Sequence, residues 1–425
     1  MNIYKTRIFD AILREELSVT GAVLIEGAKW CGKTTTAEQT AKSVLYLDDP
    51  DHSEAYLIQA RTAPGKLLEG ASPRLLDEWQ RAPTLWDAVR YAVDHADGPG
   101  QFILTGSSVP PNTDEMKHSG AGRFSWLRMR TMTLWESGDS SGEVSLSSLF
   151  DGQDPAGGEP AVRDLEEIAF LLCRGGWPYV SGMKSRAALR RSFSYLDATV
   201  KSDVSRCDGV QKDEGRVRRL LRSYARLQGT QASASVIRAD MCANEAGGIG
   251  EDTVYSYLNA LRRIFVVEDM PAWCPDLRSK SAVRTSDTRY FTDPSIATAA
   301  LDVGPGELMG DIKTFGLLFE TMAIRDLRVY ADALSGSVSH FLDANGLECD
   351  AVIHLHGGRY GLVEIKLGGK ELVEKGASSL KKLSSKLDTS KMRKPSFLMV
   401  LTAVGDVAYR REDGVVVCPI SALKP

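Results

Sequence analysis

Cysteine is sparse and scattered in this sequence of 425 residues: seven in all, at positions 31, 173, 207, 242, 274, 349 and 418. There is no CxxC pair, which argues against a zinc knuckle or ribbon. An odd, dispersed set also argues against a disulfide framework and points to a reducing cytoplasm. Long apolar runs are missing too. The longest mostly apolar stretch, Phe397–Val404, is far short of the ~20 residues a membrane span needs. The opening MNIYKTRIFDAILREEL is charged throughout and lacks the apolar core of a secretory signal. The expectation is a cytoplasmic protein with no membrane partner. Nor is positive charge in excess: 52 Lys and Arg against 56 Asp and Glu give a net charge of −4. Any nucleic-acid surface must therefore be a local basic patch.

What is present is an ordinary globular composition, 43% hydrophobic and 25% charged, which excludes a disordered or collagen-like chain. The length suggests roughly two to four domains. From Ala22 onward, short apolar runs alternate with helical segments. Ala22–Glu26, Val44–Asp48, Arg74–Asp77 and Gln101–Thr105 read as strands, and strands separated by helices predict a parallel, doubly wound sheet. Residues 1–138 form this first domain. Residues 139–160, rich in Gly, Ser, Asp and Pro, read as a linker or mobile insertion. Residues 161–305 are mostly helical, and 306–425 read as a small α/β domain. No repeat of fixed period is found.

The chemistry begins at GAKWCGKT, Gly27–Thr34, between a predicted strand and a predicted helix. This is the G-x-x-x-x-G-K-[ST] phosphate loop in its required context. Gly27 and Gly32 let the backbone of Ala28, Lys29, Trp30 and Cys31 curl its N–H groups around phosphate oxygens. Lys33 would neutralise β/γ charge, the Thr34 hydroxyl can ligate Mg²⁺, and Thr35 follows in a helix whose N-terminal dipole favours the anion. Leu75–Glu78 reads LLDE, a strand ending in two acids. Asp77 is the candidate Mg²⁺ partner and Glu78 the candidate general base; the alternative is an acid pair capping a helix. Phe102–Ser108 (FILTGSS) ends a strand in hydroxyls, placing Ser107 or Ser108 near a γ-phosphate. Arg123, Arg128 and Arg130 are candidates for an arginine supplied across a subunit boundary, or else pair with surface acids.

The ordered set GAKWCGKTT, LLDEWQRAPTLWDAVR, FILTGSS and HSGAGRFSWLRMRTMTLWE resembles a widespread group of bacterial and archaeal AAA+-type ATPases. CRGGWPYV (Cys173–Val180) and RYFTDPSIATAAL (Arg289–Leu301) resemble further phrases of that group. The resemblance implies an AAA+-type P-loop domain with ATP and Mg²⁺ as cofactors, a helical middle region and a C-terminal nuclease-like domain. A finger arginine acting in trans implies a homo-oligomer.

In the middle region, Gly215–Leu227 carries five arginines, a shorter helix follows near Ser233–Asp240, and Glu251–Ile264 reads as a third. With Phe265–Pro271 and Arg289–Thr292 as a hairpin, these resemble a winged helix-turn-helix. Thr253, Tyr255, Ser256, Asn259 and Arg263 would then face DNA, with Arg278 and Lys280 at the wing; such modules also serve protein partners. Further on, Asp350 and Glu364 lie 14 residues apart and Lys366 shares a strand face with Glu364. Together with Glu320 on an upstream helix, this resembles the D…E-x-K pattern of PD-(D/E)XK nucleases. There two carboxylates, here Asp350 and Glu364, hold Mg²⁺ beside the scissile phosphate and a lysine orients water. The plainer alternative is an exposed cross-strand ion pair. Lys375–Lys394 sets seven cations against one acid, a stripe suited to a phosphate backbone. The expected fold class is thus α/β, with a parallel-sheet ATPase domain, a winged-helix middle region and a restriction-endonuclease-like C-terminal domain. The expected partner is DNA, structured or branched.

Overall fold

Four of the five strands in the N-terminal sheet lie where the apolar runs place them. The computed structural model describes residues 4–108, 120–155, 157–162, 164–207, 209–243, 248–274, 286–390 and 392–425. In it, β1 (Ala22–Glu26), β2 (Ser43–Tyr46), β3 (Arg74–Asp77), β4 (Phe102–Gly106) and β5 (Phe124–Arg128) pair in the order β2-β3-β4-β1-β5. Every pairing is parallel. Helices α1 (Ile8–Val19), α2 (Lys33–Glu38), α3 (Ser53–Thr62) and α4 (Leu85–Asp94) accompany the sheet. Both faces are covered, which is why the inner strands read as almost unbroken apolar runs. Leu24, Leu76 and Leu104 pack with Leu85, Trp86 and Val89 of α4. Val23, Ile25, Leu75 and Ile103 pack with Phe9, Leu13 and Leu17 of α1 and Ala37 of α2. The strand that the apolar pattern misses is β5. It is an edge strand with only Phe124 fully buried, so FSWLR mixes polar and apolar residues.

The chain divides into two compact units that do not follow sequence order. The first combines residues up to Thr131 with Thr199–Asp213 and Tyr257–Val266; the second holds Met132–Ala198, Glu214–Ser256 and Val267–Pro425. Helices α5 (Leu134–Ser137), α6 (Leu146–Phe150), α7 (Leu165–Arg174) and α8 (Arg186–Ala198) belong to the second unit. A π-helical turn, Thr199–Asp203, and α9 (Val204–Arg206) belong to the first. Helices α10 (Glu214–Arg226) and α11 (Ala234–Cys242) are in the second, and α12 (Glu251–Arg263) is divided after Ser256. The described part of 139–160, expected as a linker or mobile insertion, carries regular structure. Strand β6 (Val144–Ser145) pairs in parallel with the C-terminal Leu423–Lys424, and α6 buries Leu146, Leu149 and Phe150. Asp151 also binds Arg359 at 2.9 Å. A few apolar anchors outweigh the polar composition that suggested mobility.

Within the second unit, α13 (Pro294–Leu301), α14 (Pro305–Gly310) and α15 (Ile312–Ala333) precede a six-stranded sheet. Its strands are β7 (Gly336–Leu342), β8 (Glu348–Leu355), β9 (Tyr360–Lys366), β10 (Phe397–Thr402), β11 (Tyr409–Arg410) and β12 (Val416–Pro419), in the order β11-β12-β10-β9-β8-β7. β7, β8 and β9 form an antiparallel meander. Helix α16 (Lys370–Lys386) then crosses over, so that β10 runs parallel to β9. Val373, Ala377 and Leu380 of α16 pack on Val352, Leu362 and Val400 of the sheet. The three helices expected of a winged helix form, and α10 packs on α11 and α13. The chain around the segments expected as a hairpin is joined by isolated antiparallel bridges at Val267–Phe291 and Met270–Thr288. Arg278 and Lys280 lie outside the described residues. Among those residues, no helix is long and apolar enough to cross a membrane.

CRGGWPYV and RYFTDPSIATAAL come together in the second unit around one buried charge cluster. Gly176 N–H donates to Asp293 at 2.9 Å, and Trp177 Nε1 donates to Ser295 at 2.9 Å. Gly175 sits at a φ of +72°, where a Cβ would strike the Asp293 carboxylate. Arg325 of α15 bridges Asp293 (3.2 Å) and Asp326 (2.7 Å), and Asp326 accepts the Leu134 N–H at 3.0 Å. All three charged residues are at most 3% exposed. Removing the cation takes a shared counter-charge from two buried carboxylates. Arg325→Met is therefore expected to cost about 3–5 kcal/mol in chemical denaturation of the second unit; a loss within experimental error would refute this account of the cluster.

Candidate functional site

The phosphate loop joins β1 to α2 at the carboxyl edge of the sheet. A Cβ at Gly27 would run into the Met129 carbonyl oxygen, and Gly32 caps α2 with a φ of +103°, where a side chain is strained. Ala28 and Cys31 are fully buried, Trp30 and Thr35 are exposed, and Trp30 holds a φ of +65°. Buried Arg7 staples the loop to the chain leaving β5. Its two terminal nitrogens donate to Cys31 O and Arg130 O, each at 2.9 Å. Lys33, 6% exposed, folds over the loop and donates to Gly27 O at 2.8 Å and Ala28 O at 3.0 Å. Lys29 reaches outward to Asp203 of the π-helical turn.

The acids of LLDE arrive at the same edge. Thr34 Oγ1 donates to Asp77 Oδ1 at 2.8 Å, and Thr105 Oγ1 donates to the same oxygen. Burial pushes the Asp77 carboxyl above its ordinary range, and these two hydroxyls pull it back. Glu78 stands in left-handed backbone at a φ of +56°, strain of a kind that clusters at functional sites. Its carboxylate accepts Ser107 Oγ at 3.2 Å and the Gln80 amide. Lys33, Thr34, Asp77, Glu78 and Ser107 thus share one edge of the sheet. Sequence reading missed Thr105, Gln80, Arg7 and Asp203. Thr105 had a usable signal, because β3 and β4 are parallel neighbours and Asp77 is in register with Thr105.

The arginines separate. Arg123 lies at the opposite end of β5 from the loop and binds Asp94 at 2.7 Å. Arg128 lies at the loop end, in register with Glu26. Its guanidinium sits 4.6 Å over the Phe265 ring, and Glu26, pushed up by burial and pulled back by Arg128, is 3.8 Å away.

The C-terminal residues also converge. Asp350 Oδ2 accepts the Ile365 N–H at 2.7 Å and Lys366 Nζ at 3.0 Å; the same Nζ lies 2.7 Å from Glu364 Oε2. The E-x-K pair is thus buried around its lysine, not an exposed pair: Glu364 is 3% exposed, and its Oε1 is buried with no hydrogen-bond partner. Glu320 accepts the hydroxyl of buried Tyr290, a partner the sequence did not suggest. Burial, then the Asp350 charge, pushes the Glu320 and Glu364 carboxyls up. Burial opposes the Lys366 charge, but Asp350 and Glu364 outweigh it and hold the ammonium protonated. Among the described residues, no three His, Cys, Asp or Glu side chains stand close enough to cage a metal ion. The basic stripe is partly spent: Lys375, Lys381 and Lys386 pair with Glu371, Asp413 and Asp343.

Residues 20–137 match the family model of the AAA domain. The N-terminal unit carries a P-loop AAA ATPase domain. Residues 165–307 and 315–423 match two families described as domains of unknown function (DUF8612 and DUF4143). Uncharacterized proteins of Mycobacterium tuberculosis and Mycobacterium bovis are each 23% identical over 360 residues, spanning 84% of this chain and 72% of theirs. The Walker-type ATPase paby2304 of Pyrococcus abyssi superposes with a TM-score of 0.42 at 16% identity, covering 70% of this chain and 96% of that one.

Two substitutions separate binding from turnover. Lys33→Ala is expected to abolish ATP binding measured by calorimetry. Glu78→Gln is expected to keep binding while slowing hydrolysis by about 10²–10⁴-fold; normal turnover in either variant contradicts the assignment.

Proposed function

We propose that this chain is an Mg²⁺-dependent ATPase acting on DNA, on structured or branched DNA rather than a particular sequence, with a nuclease-like C-terminal domain. The observation that carries the ATPase half is the contact of Thr34 with Asp77 beside Glu78 and Ser107. Both members of that contact are hard oxygen donors, the type Mg²⁺ takes. Thr34 would ligate the ion directly and Asp77 would hold it in place; when bound, the ion would supply charge neutralisation for the phosphates. The loop N–H groups and the start of α2 bind the phosphates. Lys33 exchanges its two loop carbonyls for phosphate oxygens, which accept more strongly from an ammonium. Glu78, held by Ser107 and Gln80, orients the attacking water as general base. Arg123, with a side chain 45% exposed and remote from its own loop, is the better candidate to reach the nucleotide of a second copy in a homo-oligomer.

The DNA half rests on the C-terminal acids and on basic helices. Arg216, Arg218, Arg222 and Arg226 line the exposed side of α10, and exposed Lys382, Arg393 and Lys394 extend the stripe of α16. At the cluster, Asp350 and Glu364 would hold Mg²⁺ beside a phosphodiester and Lys366 would orient water. A second reading, an ATP-switched regulator that binds DNA or a protein and cuts nothing, is favoured by Lys366 itself. It already neutralises the two carboxylates that a metal would need.

ATP turnover with single-stranded, duplex, forked and four-way DNA tests the proposal, with the same reactions run on a denaturing gel. The expected results are stimulation by a branched substrate, and cut products that vanish in Glu364→Ala while its ATPase persists. Stimulation without cutting selects the second reading, and no response to any DNA refutes the DNA half.

A further inference from the structure

The first unit contains two stretches that the sequence assigns to the middle region, and each touches a residue beside the nucleotide loop. Asp203, the last residue of the π-helical turn, binds Lys29 Nζ at 2.5 Å. Phe265, fully buried in left-handed backbone at a φ of +59°, lies under Arg128, whose strand neighbour Glu26 immediately precedes the loop. π-Helical turns are rare and recur at functional positions. This one is anchored by its continuation: Cys207 Sγ contacts the Ala260 carbonyl, and the Asp213 N–H donates to the Tyr257 hydroxyl at 3.1 Å. The two stretches therefore brace each other as well as the loop.

Lys29 is the third residue of a loop built to hold phosphate, and its side chain is 42% exposed while that of Asp203 is 11% exposed. The pair balances one charge of each sign at the rim. A nucleotide triphosphate brings several negative charges there. They attract Lys29 and repel the Asp203 carboxylate, so the same ammonium is sought by two anions. We propose that Asp203 is a positioning residue for the phosphate loop, and that ATP draws Lys29 away from it and releases the turn 199–203. The inference rests on the ATPase reading above and adds to it a place where the occupied loop is sensed.

An ion pair with a half-exposed lysine is worth up to about fivefold in an equilibrium constant, so the competition is measurable but not dominant. It has a sign that a purely structural contact lacks. Asp203→Asn frees Lys29 for phosphate and is expected to tighten ATP binding about two- to fivefold. Lys29→Ala leaves Asp203 facing the phosphates and is expected to weaken binding. With Lys29 gone, Asp203→Asn is expected to relieve only that repulsion, so the two changes are non-additive.

The experiment is calorimetric titration of ATP with Mg²⁺ into the full chain carrying Glu78→Gln, which prevents turnover, alone and with Asp203→Asn, Lys29→Ala and both. It is joined to hydrogen exchange across residues 199–213 with and without ATP. The expected result is tighter binding in Asp203→Asn, and exchange that rises with ATP in the parent and is high and ATP-independent in Asp203→Asn. Weaker or unchanged binding in Asp203→Asn, or exchange in the parent that ignores ATP, overturns the tether. If Asp203→Asn unfolds, Lys29→Ala and parental exchange decide on their own. A parent that binds no ATP overturns instead the ATPase reading.

Discussion

The carboxylate of Asp77 is buried at the carboxyl edge of the first sheet, and the nucleotide site is organised around that cost. A carboxylate out of water must be hydrogen-bonded or lose its charge. Here two hydroxyls meet it, Thr34 from the first turn of α2 and Thr105 from the end of β4. The strand order makes this possible. β4 lies between β1 and β3, so the loop after β1, the acids after β3 and the hydroxyls after β4 reach one edge. Lys33 and Ser107 stand at the same edge. The left-handed backbone of Glu78 turns the second acid onto Ser107 rather than back into the sheet.

The C-terminal cluster meets the same difficulty by another route. Asp350 and Glu364 each meet the ammonium of Lys366, and Asp350 also accepts one backbone N–H, instead of hydroxyls. Hydroxyls leave a carboxylate its charge and can turn toward a cation, whereas a lysine cancels the charge. That difference bears on function. On the reading proposed above, the acid in the first unit would keep its charge for a metal, and the pair in the second would have to displace or share its own cation. Glu364 Oε1 is buried there without a partner. Tyr290 meanwhile ties Glu320 to the chain between the middle helices and α15.

Much of this was legible in the sequence, for reasons that can be stated. The loop GAKWCGKT and the acids of LLDE are local patterns whose geometry follows from the strand before and the helix after. The antiparallel pairing of β8 with β9 was readable from the spacing of Asp350 and Glu364. Three things were not. Strand β5 is an edge whose sequence mixes polar and apolar residues without a clear period. Residues 139–160 look polar, yet Val144, Leu146 and Phe150 dock them in the second unit. The basic stripe of Lys375–Lys394 is partly offset by Asp343 and Asp413, which are distant in sequence. Contacts such as Lys29 with Asp203, 174 residues apart, and Arg7 with Arg130, 123 apart, depend on tertiary structure that no local pattern encodes.

The central claim is that Asp77 serves the nucleotide through a metal rather than merely completing the sheet edge. The direct measurement is ATP turnover as Mg²⁺ is titrated, in wild type and in Asp77→Asn, an isosteric change that keeps an acceptor for Thr34 and Thr105. The account predicts Mg²⁺-dependent turnover in wild type and its loss in a folded Asp77→Asn that still binds ATP. Identical Mg²⁺ dependence in the two proteins would contradict it.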